Sequence, residues 1–340
     1  MIRIYDESFR GAWDKFVLKE SCNGTFQQTR NFLSYHPPGR FRDHSLMFLK
    51  GQTIVAVLPA HVAEEDGGGR MLLSHEGCTF GGIVLGHDFK KIADIESVLE
   101  ELTAYARENG FTEIKLKMTG GLYACEPVEA LDYFLQQYGF CDTMELGFYI
   151  DLERASPPGV LEGFSASRRR DLRKALQKGM TFRELEDEGE IREFYGLLEA
   201  NMRKFSRRPV HTLEELLDFK RERLKDIVSF YGVFHEGQMI AGGMAFDFGK
   251  GQVFHLQYLA SDQGRLELFP NEFLYYSMIN NALGRHYRRI SFGTSTLEQG
   301  RVLNRSLALF KSGFGTDMYV NRTYHWKNIL RSFQGIIDKI

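Results

Sequence analysis

The stretch Phe48-Leu49-Lys50-Gly51-Gln52-Thr53-Ile54 recurs in the second half of the chain as Phe234-His235-Glu236-Gly237-Gln238-Met239-Ile240. In both copies a Gly-Gln pair separates two apolar runs, and this pattern predicts a β-hairpin. One such match carries little weight, because Gly-containing hairpins are common in α/β proteins. Further matches in the same order would indicate an internal duplication.

Two further matches follow in that order. Gly110–Leu116 resembles His286–Phe292, where a helix end leads into a buried strand, and Leu135–Phe140 resembles Leu309–Phe314, where glycine stops a helix before a last strand. Three ordered matches favour two copies of one unit over two unrelated α/β domains.

The predicted fold is therefore α/β, with two tandem units that each contain a mixed sheet (α+β) and helices on both faces. The main helices are expected at 92–109 and 271–284. Paired prolines and a glycine within Glu153–Gly159 mark the best boundary. This gives a first domain of residues 1–155 and a second domain of residues 156–340.

Composition narrows the class of protein. The 340 residues carry 43 Lys and Arg against 45 Asp and Glu, a net charge of -2, so any polyanion would have to bind a local patch. The four cysteines form no C-x-x-C pair and the histidines no metal-binding spacing, so neither disulfides nor a metal are predicted. The charged N-terminus and the lack of a long apolar run predict a cytoplasmic protein without a membrane span.

Several segments resemble a known family. They are Ser167–Ala175, Tyr258–Ser261 with Arg265, Pro270, Asn271 and Leu274, Phe292–Thr296, and Phe310–Gly315. The element order resembles the GNAT acyltransferase fold, and the doubling resembles its Fem-type branch (FemX-like or FemAB-like). That resemblance implies two GNAT-like domains, of which the first supports the fold and the second carries the active site.

The resemblance also implies an amine that attacks an activated acyl group. Fem-type relatives take an amino acid from aminoacyl-tRNA, while other doubled chains look like acyl-CoA-dependent N-acyltransferases. In a typical GNAT domain, backbone N–H groups at a helix N-terminus hold the coenzyme A pyrophosphate. Here only Gly264 and Arg265 suit a phosphate, and Asp262 opposes one. The resemblance adds Asn271, Ser295 and Phe310 to the cofactor-binding residues.

Lys311 is the leading catalytic candidate. It lies in an otherwise apolar stretch, where it could stabilise an oxyanion or bind a donor phosphate, although a surface lysine snorkelling to water would show the same pattern. The matching residue of the first half is Gln137, which suits one active and one supporting domain.

Other candidates are less specific. Glu272 and Asp247 could accept the proton of the amine, and Tyr258 could donate to the leaving group, but each is more often a cap or surface residue. Arg169 and Arg173 share a face of a basic helix that, with Thr294, could bind an anionic substrate; a solvated helix paired with acids is the alternative.

These observations leave three candidate functions for the protein. The first is an N-acyltransferase that moves an acyl group, by preference acetyl from acetyl-CoA, to an amine on a sugar or a nucleotide-linked cell-envelope precursor. The second is an aminoacyl-tRNA-dependent transferase acting on a peptidoglycan precursor. The third is a catalytically degenerate binding protein of envelope synthesis. The sequence leaves the acceptor amine and the oligomeric state open.

Overall fold

The computed structural model describes residues 1–64, 68–154, 157–249 and 252–328. The chain forms two compact units, one of Met1–Glu145 with Val320–Ile340 and one of Leu146–Tyr319. The sequence boundary between residues 155 and 156 lies outside the described residues. The segment from Val320 onward groups with the first unit, whereas the sequence assigned it to the second half.

The first unit is built from short strands and four helices in the described part of the chain. The helices are α1 (Arg10–Lys15), α2 (Arg30–Leu33), α3 (Ile92–Glu108) and α4 (Glu129–Gln137). The strands are β1 (Ile2–Ile4), β2 (Arg42–Asp43), β3 (Leu46–Lys50), β4 (Thr53–Leu58), β5 (Ala60–Glu64), β6 (Arg70–Ser74), β7 (Val84–Leu85) and β8 (Phe111–Lys117).

Strands β1, β3, β4 and β7 pair antiparallel in one sheet. In the other, β2, β5, β6 and β8 are neighbours, and β6 and β8 run parallel. The apolar stripe of α3, which includes Leu99 and Leu102, packs in the same core as Ile114 and Leu116 of β8. This burial holds the helix on the sheet.

The second unit begins within strand β9 (Cys141–Asp151), whose residues from Leu146 onward belong to it. Its helices are α5 (Pro157–Gly163), α6 (Ala166–Leu176), α7 (Glu188–Arg203), α8 (Leu213–Asp218), α9 (Pro270–Gly284) and α10 (Arg305–Ser312). Its strands are β10 (Thr181–Glu184), β11 (Val228–His235), β12 (Gln238–Phe248), β13 (Val253–Ser261), β14 (Arg289–Thr294), β15 (Thr296–Leu297) and β16 (Val302–Leu303), and the chain ends its described course in β17 (Asp317–Lys327).

The sheet of this unit has the order β10-β11-β12-β13-β14-β9. Its pairs are antiparallel except β13 with β14, which are parallel because α9 connects them as a crossover. Leu274, Met278 and Ala282 of α9 are buried against the sheet in a large apolar cluster. The sheet and α9 therefore form a rigid support for the ends of β13 and β14.

The three ordered repeats are confirmed as structural equivalents. Each Gly-Gln pair turns a hairpin, β3–β4 and β11–β12. Helices α3 and α9 lead into strands β8 and β14, and a glycine follows α4 before β9 and α10 before β17. Gly51 and Gly237 have φ values of 63° and 78°, a region that glycine occupies at little cost. No helix in the described ranges is both long and apolar enough to cross a bilayer.

Candidate active site

The parallel strands β13 and β14 stop pairing part-way along their length. Their register covers Val253 with Arg289 through His255 with Ser291, and it ends there. The pairing of β12 with β13 shifts between Met244 and Ala245, a bulge of the kind that redirects side chains next to functional sites. Beyond this point the two strands no longer pair with each other.

Lys311 of α10 reaches the end of β14. Its Nζ donates to the carbonyl oxygens of Thr294 at 2.7 Å and Gly293 at 3.2 Å, and only 5% of the residue is exposed. Burial lowers its pKa from 10.5 to about 7. An ammonium has three N–H donors, so one remains for an additional acceptor. Within the apolar stretch of α10, the lysine is buried while Leu309 is exposed.

Gly293 gives the carbonyls their direction. Its φ of 69° lies in the left-handed region, where a side chain would be strained. This conformation turns the carbonyls of Gly293 and Thr294 toward the ammonium of Lys311. The need for it explains why a glycine follows Ile290, Ser291 and Phe292 in this strand.

A buried polar group lies beside Lys311. His255 Nδ1 is 3.2 Å from Ser291 Oγ, which is 3.1 Å from the hydroxyl of Tyr319. Burial and the charge of Lys311 lower the pKa of His255 to about 4, so its imidazole is neutral at pH 7. The sequence analysis missed His255, although one polar residue within the apolar run Val253–Leu256 is a usable signal.

Two hydroxyls next to Thr294 are buried without a hydrogen-bond partner among the described residues. They belong to Ser295, which is 1% exposed, and Thr296. A buried hydroxyl without a partner costs free energy, so such groups commonly mark a ligand or water position. The structure thus places Thr294 and Ser295, which were predicted to bind substrate and cofactor, next to the predicted catalytic residue Lys311.

Glu272 is held by Arg168 of α6. The two side chains form a buried ion pair, and the guanidinium carbon of Arg168 lies 4.2 Å from the ring centroid of Phe310. Phe310 also contacts the ring of Tyr275. This arrangement places Glu272 and Phe310 in a packed structural group, in which the guanidinium of Arg168 already occupies the carboxylate.

Tyr258 of β13 contacts the loop that follows α7. Its hydroxyl is 2.7 Å from His211 Nδ1, and burial raises its pKa to about 12. The hydroxyl therefore keeps its proton at neutral pH. It lies on the part of β13 beyond the last pair with β14, the same part of the strand that a ligand would use.

The turn after β13 differs from a phosphate-binding turn. The N–H of Gly264 donates to the side chain of Asp262 at 2.8 Å, and Arg265 donates to Gln238 Oε1 at 2.9 Å. The carboxylate of Asp262 therefore occupies the donor that a pyrophosphate would need and repels an anion there. Asn271 lies in the first turn of α9, next to Pro270.

The remaining candidates lie elsewhere. Asp247 pairs with Phe254, four residues before Tyr258 on β13, so about 13 Å of strand separates it from that tyrosine. Arg169 donates to the carbonyls of Glu162 and Phe164, and Arg173 Nε donates to the carbonyl of Arg169. Both arginine side chains therefore stabilise the backbone around α6 through these hydrogen bonds. No group of three His, Cys, Asp or Glu in the described ranges could hold a metal ion.

A comparison with protein families matches residues 165–299 to the acetyltransferase (GNAT) domain. The match covers β13, β14, α9 and the turn between β13 and α9. This part of the second unit is therefore similar to a GNAT domain. Lys311 lies twelve positions beyond the end of the matched range at residue 299. No curated protein sequence matches the chain.

Three solved structures resemble the GNAT domain together with the first unit. FemX shares 12% identity, with a TM-score of 0.69 over 99% of both chains. L-PGS from Bacillus licheniformis shares 13%, with a TM-score of 0.58 over 95% of this chain and 92% of the other. A tandem GNAT protein from the clavulanic acid biosynthesis pathway shares 11%, with a TM-score of 0.53 over 96% and 98%. At these identities the likeness establishes the doubled GNAT fold.

Proposed function

We propose that the second unit transfers an acyl group to an amine where β13 and β14 separate. The observation that carries the proposal is Lys311, a buried ammonium fixed by two carbonyls at the end of β14. A buried charge of this kind is costly to the fold and is typical of functional sites. The GNAT domain supplies the reaction class.

In the proposed reaction the neutral amine attacks the acyl carbonyl, and the carbonyl oxygen gains negative charge. The remaining N–H of Lys311 would donate to this oxygen, a contribution typically worth a hundredfold to a thousandfold in rate. A C–N bond forms while the bond to the thiol or ribose oxygen of the donor breaks. The leaving group takes up a proton, and the amine releases one to solvent or to a nearby base.

The leading donor is an acyl thioester such as acetyl-CoA, with an amine on a sugar or cell-envelope precursor as the acceptor. The GNAT match supports a coenzyme A donor in general terms. Purified protein should then melt at a higher temperature with acetyl-CoA, because a ligand that binds only the folded state stabilises it. No shift at millimolar acetyl-CoA would count against this donor.

A second donor, the aminoacyl ester of tRNA, is favoured by one specific observation. The carboxylate of Asp262 occupies the N–H of Gly264, where a pyrophosphate would otherwise bind. The resemblance to FemX in fold is compatible with this alternative. Transfer of a radiolabelled amino acid from charged tRNA to a peptidoglycan precursor, in the absence of coenzyme A, would decide for it.

The role of Lys311 is tested with a matched control. Lys311→Met should reduce acyl transfer at least about a hundredfold at saturating donor. Lys225→Met, at an exposed position of the same unit, should leave the rate unchanged. Equal rates in both variants would remove Lys311 from the reaction.

A further inference from the structure

The loop after α7 exposes apolar and basic side chains together. We call residues 203–210 the basic-apolar loop. Phe205 is 75% exposed and Val210 is 58% exposed. The loop also exposes four cations: Arg203, Lys204, Arg207 and Arg208. Single exposed apolar residues are normal, but an exposed ring among four cations calls for a partner.

The backbone holds this loop in a defined shape. The N–H groups of Phe205 and Arg207 both donate to the carbonyl of Met202, at 3.0 Å and 3.1 Å, and Ser206 has a φ of 53°. A positive φ at serine costs free energy, which the paired hydrogen bonds offset. Phe205 is thus presented outward by an ordered turn.

The loop lies at the same edge of the sheet as the candidate site. Asn201 Nδ2 donates to the carbonyl of Ser261 at 2.7 Å, and His211 contacts Tyr258. These bonds fix both ends of the loop to the carboxyl end of β13. Because β13 and β14 are parallel, the segment that follows β14 begins at this edge too.

That segment carries a second patch of the same composition. Val302, Leu303 and Leu309 are exposed on β16 and α10. Arg301 and Arg305 are exposed beside them, and Arg305 shares a helix face with Leu309 at i, i+4. We call these five residues the hairpin-helix patch.

The charges of the loop and the patch are unbalanced. Within 157–249 and 252–328, none of the six cations lies within ion-pair distance of a carboxylate, whereas some other basic side chains of this unit, among them Arg168, Arg183 and Arg288, are paired. Glu199 and Glu298 are the exposed acids next in sequence. The excess positive charge indicates an anionic partner.

We infer that this edge of the second unit docks on an anionic phospholipid bilayer. Aliphatic side chains insert among acyl chains while arginine and lysine bind phosphate headgroups. A nucleic acid could bind the cations through its phosphates and stack on Phe205, but it would leave the exposed aliphatic side chains Val210, Val302 and Leu303 in water, whereas a bilayer accommodates both kinds of side chain. The inference concerns the docking surface and does not depend on the proposed function.

The test is co-sedimentation of the full chain with vesicles of phosphatidylcholine alone or with 30% phosphatidylglycerol. The protein should bind the mixed vesicles, and binding should weaken as salt rises. Arg207→Glu with Arg208→Glu should weaken it at least about thirtyfold, since each cation near the surface contributes about fivefold. Phe205→Ser should weaken it about tenfold through lost insertion.

The matched control is Leu18→Ser with Lys19→Glu, an exposed apolar and basic pair of the first unit. It should bind vesicles as the unmodified chain does. Acyl transfer to a small water-soluble amine should be equal in all these variants, which separates docking from catalysis. Absence of vesicle binding, equal losses in the control, or binding of RNA but not vesicles through the same cations would each overturn the inference.

Discussion

Replacing Lys311 with methionine removes a charge from the interior of the second unit and keeps the length of the side chain. Two effects on stability oppose each other. The desolvation of the ammonium disappears, while the carbonyls of Gly293 and Thr294 lose their donor. The balance depends on pH, and this dependence makes the variant informative.

The magnitude follows from the pKa of Lys311, which burial lowers from 10.5 to about 7. That difference corresponds to about 5 kcal/mol. Two carbonyls without a donor cost about 1–3 kcal/mol each, so at pH 7 the variant should lie within about 3 kcal/mol of the unmodified chain. Between pH 7 and 10.5 the unfolded lysine is charged and the folded one is neutral. The unmodified chain therefore gains about 1.4 kcal/mol per pH unit in this window relative to the variant.

Urea unfolding of both proteins at pH 7, 8 and 9 measures the difference. The free energy of unfolding of the unmodified chain should rise by about 2 kcal/mol relative to Lys311→Met from pH 7 to pH 9. The same comparison with Lys225→Met should be flat, because that lysine is exposed. A constant difference for Lys311→Met would show that the buried lysine stays charged, and would refute the argument from burial.

Three further predictions concern buried or anionic groups. Arg168→Met should lower the free energy of unfolding by about 3 kcal/mol in urea, because it leaves Glu272 buried and unpaired, and adding Glu272→Gln should recover most of it; no recovery would contradict this. Burial lowers the pKa of His75 to about 4, so the unfolded chain binds a proton that the folded chain does not as pH falls from 6.5 toward 4. The free energy of unfolding should fall by up to about 3 kcal/mol over this range. His75→Phe should reduce this loss, and equal acid sensitivity of the two proteins would contradict the prediction. Asp262→Asn should strengthen acetyl-CoA binding in a melting assay by removing an adverse charge, and an unchanged shift would show that the carboxylate does not exclude the donor.

The repeated hairpins and the helix-glycine-strand segments were predictable because each depends on local chemistry. A Gly-Gln turn and an amphipathic helix are specified within about 20 residues of sequence. The position of Lys311 on a short helix, one turn from Leu307, could be predicted for the same reason. The sequence also assigned Thr294, Ser295 and Lys311 to one site, through the resemblance of their segments to a family.

Strand partners were less predictable. The pattern of Gly147–Asp151 identifies a strand, but pairing with β14 depends on residues more than 100 positions away. The segment from Val320 onward likewise belongs to the first unit through its pairing with β8, which no local pattern specifies. The grouping of a closing strand is therefore a property of the tertiary structure.

The sequence by itself determined the elements, their duplication and the residue types available for chemistry, because these follow from periodicity and turn preferences. Only the tertiary structure decided which charged groups are functional candidates. It bound Glu272 to Arg168, turned Arg169 onto backbone carbonyls, and buried Lys311 beside His255. Burial and pairing set the pKa and reactivity of a side chain, and both depend on neighbours that are distant in sequence.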